Sequence, residues 1–87
     1  MRSRLGVEGM QGLGPVTAKR LAEIGIHDAA ELRAVGAIAA FRALRFRFGR
    51  DVTANALYAL DAAIRDVHWR EVDEPTKARL RREAALD

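Results

Sequence analysis

Apolar residues recur every three or four positions along this chain, in short runs that glycines interrupt. From Pro15, the order places Ala18, Leu21 and Ile24 on one face and Lys19, Arg20 and Glu23 on the other, which predicts a helix over 15–24. Pro15 suits the first helical position, where its missing N–H is not needed, and Gly25 is placed to end the helix. Ile26 reads as a plug in the core. A second short helix over 29–35 follows, capped by His27 or Asp28, with Leu32 and Val35 inward and Gly36 as its stop. Ile38, Phe41, Leu44 and Phe48 predict a third helix over 37–48, its arginines crowded toward the carboxyl end that favours cations.

The strongest periodicity comes next. From Asp51 or Thr53 to about Asp66, Leu57, Leu60, Ile64 and Val67 form one stripe, and Ala56, Ala59 and Ala63 form a smooth face beside it. Asp61 and Arg65 stand four apart in the favourable order. With Ala54, Tyr58 and Ala62 added, this helix has little polar surface and is expected at the centre. Residues 68–72 turn the chain, and Trp69 is expected to close the base of the core. Asp73 and Pro75 then open a last helix to about Ala85, which buries Leu80 and Ala84. Leu21–Gly25 and Leu32–Gly36 share a Leu, two residues, a branched apolar residue and a Gly. The offset is too short for a repeat unit and reads as two helix ends built alike.

Composition agrees with the periodicity. Much of the hydrophobic content is alanine and only 6% of the chain is aromatic, which favours closely packed helices over a β-sandwich. The expectation is an all-α fold, a compact bundle of about five short helices in a single domain over 1–87 with its core at about 8–85. Cysteine is absent, which removes disulfides, thiolate metal sites and a thiol nucleophile. No apolar run approaches the roughly 20 residues of a membrane span, and the Met-Arg-Ser-Arg start lacks a signal peptide's apolar core. A soluble, cytoplasmic protein with no membrane partner is expected. The net charge of +3 is unevenly spread: residues 1–50 hold nine Lys or Arg against four Asp or Glu, and residues 51–87 hold six against eight. A basic first half attracts phosphate, and a weakly acidic second half attracts a basic partner or a second copy of the chain. A solvated mixed-charge surface is the plainer account of the same numbers.

One segment carries a mechanism. In Gly12-Leu13-Gly14-Pro15-Val16-Thr17-Ala18-Lys19-Arg20-Leu21, two glycines allow a sharp turn while Leu13 is buried as an anchor. The turn opens directly into a helix, whose first N–H groups lack internal partners and, with the helix dipole, favour an anion. Gly12, Gly14, Val16, Lys19 and Arg20 are the candidate residues for holding phosphate. Here the chain resembles the helix-hairpin-helix nucleic-acid-binding motifs: Gly12, Leu13, Gly14, Ala18, Lys19 and Leu21 fit, while Gln11 stands where proline is frequent. That resemblance implies sequence-independent contact with the phosphate backbone.

A longer match extends it. The Gly12–Pro15 turn, Leu21–His27, Glu31–Ala37, Leu57–Ile64 and His68-Trp69 together resemble the C-terminal domain of TfoX (Sxy)-type DNA-transformation proteins, over about residues 8–82. The resemblance implies a helical domain of about five helices and a link to natural competence or its transcriptional regulation. In the full-length regulators this domain follows an N-terminal α/β domain with no counterpart in these 87 residues, so a whole regulator's activity does not carry over. No catalytic residue is implied.

The same turn also fits a corner that only packs Leu13, as in SAM-type domains that contact other proteins. A second candidate surface, for a regulatory protein or another copy of the chain, comprises Arg42, Arg45, Phe46 and Arg47. Phe46 lies off the Phe41–Leu44–Phe48 stripe and, if exposed, marks a stacking or partner surface. His27 and His68 lack ligand-spaced neighbours, so no metal and no cofactor are expected. Asp66, Glu71, Asp73 and Glu74 surround a turn and a helix start, where carboxylates suit the dipole, and no enzyme is expected. Two readings remain: a weak DNA-binding module, or a protein-interaction and self-association module using the Ala-rich fourth helix or Phe46.

Overall fold

The computed structural model describes Leu13 and residues 15–86. These form an all-α bundle of five helices: α1 (Pro15–Glu23), α2 (Ala29–Val35), α3 (Ala37–Phe48), α4 (Ala54–Arg65) and α5 (Glu74–Glu83). Single 3-10 turns at Gly49–Asp51 and Trp69–Glu71 link α3 to α4 and α4 to α5. The lead-in through Gly9 and most of the Met10–Gly14 turn lie outside the described residues.

Local chemistry sets the helix ends. α1 closes with Ile26 N–H donating to the Leu21 carbonyl and Gly25 N–H to the Ala22 carbonyl, Gly25 adopting φ +91°. α2 starts at Asp28, whose carboxylate accepts from the Glu31 amide at 2.8 Å, while the Glu31 carboxylate accepts from the His27 amide at 2.6 Å. Gly36 ends α2 and begins α3 at once, with φ +90° and ψ 157°, a region open to glycine almost alone. The two echoed helix ends therefore share a positive-φ glycine but differ in their hydrogen bonds. α5 starts at Asp73, whose carboxylate accepts from the Thr76 amide at 3.0 Å.

The core lies between α3 and α4, which pack on each other; α2 and α5 also pack on α4, and α1 rests on α3. Leu21, Leu32, Phe41, Leu44, Leu57, Leu60 and Leu80 are fully buried in one cluster. Burial of each such side chain contributes roughly 1.5–3 kcal/mol. Ile26, the expected plug, Leu13, the expected anchor, and Ala84 join them. α4 is central, with Leu57, Tyr58, Leu60, Ala62 and Ala63 all buried. The Tyr58 hydroxyl is satisfied by Arg81 Nη1 at 2.6 Å.

Two expectations fail. Val35, expected inward, is 44% exposed: it is the last residue of α2, whose buried residue is Leu32, and burial resumes at Ala37 after the Gly36 corner. Trp69, expected to close the base of the core, is 46% exposed. Val72 closes the core there instead, and the Trp69 ring lies out against His68, with ring centroids 5.7 Å apart.

Candidate nucleic-acid and partner surfaces

The entrance to α1 is built around Leu13. Its side chain is only 7% exposed, which pins the chain to the core immediately before the helix. Ala18 and Leu21 take the inner face of α1, so Val16 (66% exposed) and Lys19 point to solvent. The first turn of α1 contains no acidic residue, and Lys19 makes no ion pair with a described residue. Gly12 and Gly14 lie outside the described residues. Arg20 turns away from the entrance: its guanidinium sits 4.9 Å from the centre of the Phe48 ring.

Phe48 is held from a second side as well. The Arg47 guanidinium also lies 4.9 Å from the ring, and Arg47 Nη2 pairs with Glu23 Oε1 at 3.1 Å. Arg20, Phe48, Arg47 and Glu23 thus lock α1 onto the end of α3. Arg45 is half-buried, with Nη1 donating to the Val52 carbonyl at 3.1 Å and the guanidinium 5.8 Å from the Phe41 ring. It ties the 3-10 turn after α3 back to the helix. Of the four residues picked for a partner surface, Arg42 and Phe46 face outward together one turn apart, whereas Arg45 and Arg47 are drawn into contacts. Phe46 is 95% exposed.

Two depressions were not foreseen. One, of about 430 Å³, has Arg42, Arg45 and Phe46 on its α3 side and Ala84, Ala85 and Leu86 at the end of α5 on the other. The second, of about 270 Å³, is lined by Asn55, Tyr58, Ala59 and Trp69. In the first, the decisive residue is Ala85, whose φ of +59° turns Leu86 back to donate to the Arg81 carbonyl at 2.9 Å. An alanine gives no sequence signal for that left-handed turn.

The titratable groups are arranged structurally. His27 Nδ1 lies 3.2 Å from Glu31 Oε1 beside the α2 cap. The side-chain and amide hydrogen bonds of Thr76 hold the Asp73 carboxyl below its ordinary value. Among the described residues no three His, Asp or Glu side chains converge as metal ligands, and no helix is long and apolar enough to cross a membrane.

Comparison with known proteins places this geometry. A crystal structure of an uncharacterized protein from Listeria monocytogenes, in a triclinic form, is 28% identical over 94% of this chain and 93% of that one, with a TM-score of 0.86. A tetragonal form of a protein of unknown function from Listeria monocytogenes matches with a TM-score of 0.83, at 28% identity over 91% of this chain and 96% of that one. No curated protein matches the chain significantly. The family model of the TfoX C-terminal domain matches residues 5–84, the five helices and the Leu13 anchor included, and the chain belongs to that family.

Proposed function

We propose that this domain is a non-enzymatic binding module that holds the DNA phosphate backbone at the entrance of α1, in DNA transformation or its transcriptional regulation. One observation carries the reading: with Leu13 anchored in the core, Val16 and Lys19 stand in solvent and no carboxylate occupies the first turn of α1. The leading N–H groups of a helix have no partner within it, and its dipole favours an anion at that end. Lys19, one turn on, supplies a full charge to the same phosphate. Such contacts position a duplex without reading it, and a handful of them gives dissociation constants on the order of 10⁻⁴–10⁻⁶ M at physiological salt. Membership of the TfoX C-terminal domain family supports the setting. Titration of isotope-labelled protein with short duplexes of unrelated sequence tests the reading. The amides of Leu13, Val16, Thr17 and Lys19 should shift alike for every duplex and return on adding salt. Unmoved amides at low salt, or shifts confined to another face, would overturn it.

A second reading, a protein-interaction or self-association domain without nucleic-acid contact, is favoured by Phe46, which leaves a large apolar ring in water on a regular helix. The fourth helix is a poor route to that contact, since Leu57, Leu60, Ala62 and Ala63 are spent on the core. Phe46 is the better one.

A further inference from the structure

We infer that the depression between α3 and the carboxyl end of α5 takes a short acidic segment of a partner protein, one apolar side chain set between its carboxylates. The inference deepens the protein-interaction reading and rests on it. The two walls are chemically unlike. The α3 wall belongs to a helix with no acidic residue anywhere in 37–48. It presents Arg42, exposed and in no ion pair with a described residue, and one turn later the exposed ring of Phe46. Arg45 spends one guanidinium nitrogen on the Val52 carbonyl and keeps its other donors. Among the described residues the α5 wall of the groove is Ala84, Ala85 and Leu86, turned inward by the left-handed Ala85. The last turn of α5 carries Arg81 and Arg82, which offset the carbonyl dipole at that end.

That asymmetry selects the ligand. A phosphate backbone supplies charge but no apolar side chain to cover Phe46 and Leu86. An acidic peptide with one apolar residue places carboxylates on the arginines, covers Phe46, and seats its apolar side chain against Leu86. The acidic run before α5 in a second copy of this chain does not supply such a segment. That run, Glu71–Glu74, has its one apolar residue, Val72, buried at 3%.

Fluorescence anisotropy and amide-shift mapping with a labelled peptide Glu-Asp-Phe-Glu-Asp test the inference, against the Gln-Asn-Phe-Gln-Asn and Glu-Asp-Ala-Glu-Asp peptides and against oligothymidylate. The acidic Phe peptide should bind best and shift Arg42, Phe46 and Ala84–Leu86. Phe46→Ala and Arg42→Glu, both surface changes that should leave the thermal midpoint in place, should each weaken it about tenfold. If the Gln-Asn-Phe peptide binds equally well, the acidic partner is wrong while a protein contact survives. If no peptide binds at about 1 mM, where only interactions weaker than roughly 4 kcal/mol escape, the inference falls. It falls as well if oligothymidylate shifts these residues in preference to peptide, or if the same residues shift on concentrating the protein alone.

Discussion

Arg42, Arg45 and Arg47 stand within six positions of one another, and among the described residues Arg45 and Arg47 find polar partners while Arg42 makes no hydrogen bond or ion pair. Arg45 satisfies the Val52 carbonyl and covers Phe41; Arg47 grips Glu23 and Phe48. Hydrogen bonds to a charged donor are worth about 1.5–3 kcal/mol when their partner would otherwise be left unpaired. Arg45→Ala should therefore lower unfolding stability by about 1–2 kcal/mol in a urea titration, with Arg42→Ala within about 0.5 kcal/mol of the parent. Equal effects of the two would contradict the assigned roles. Sequence did not separate these arginines, because spacing on a helix gives a direction and not the carbonyl or ring that waits there. Phe46 was legible, since its phase alone takes it off the buried stripe.

At the scale of the element, the starts and stops of the helices were written locally. Asp28, Gly25, Gly36 and Asp73 act on backbone groups within four residues, so their roles could be read without knowing the fold. Val35 and Trp69 misled because burial depends on what lies opposite, and the chain buries Ala37 and Val72 in their stead. Gly36 is the sharpest test of the local logic. Space is open around it, with nothing within 4 Å of an added Cβ, so Gly36→Ala would act through backbone strain alone. A loss of about 1–3 kcal/mol in thermal or urea unfolding is expected, and an unchanged midpoint would show that the α2–α3 corner relaxes freely. The α5 cap should respond to acid. The folded Asp73 carboxyl titrates below 3.8, its ordinary value, so its stabilising effect is complete above that pH and is lost as pH falls through the lowered value. The Thr76 amide, followed by NMR, should lose its hydrogen-bonded shift over that acid range, and Asp73→Asn should remove the titration. A transition at or above the ordinary value would contradict the assigned hydrogen bonds.

Over the whole molecule, the fold was more legible than the surfaces. A central α4 dense in Leu and Ala can only be buried, and the remaining helices must cover it; that much follows from periodicity. At the α1 entrance Val16 and Lys19 are exposed, while Gly12 and Gly14 of the hairpin lie outside the described residues; the turn of Arg20 onto Phe48 was not legible, since it depends on where α3 ends. The groove beside Phe46 was hidden for a like reason, its second wall coming from residues forty positions away. Of Arg20, Arg45 and Arg47 only Arg47 is ion-paired among the described residues, with Glu23; Arg20 and Arg45 keep their charge while resting on Phe48 and the Val52 carbonyl, and Lys19 stands exposed on α1. The salt dependence of duplex binding tests the proposed phosphate contact most directly. Log affinity should fall with log salt at a slope of roughly −0.9 per phosphate held, and Lys19→Glu should weaken binding and shallow the slope by about one unit on duplexes of any sequence. Absence of binding at low salt, or a slope unaltered by Lys19→Glu, would contradict the account.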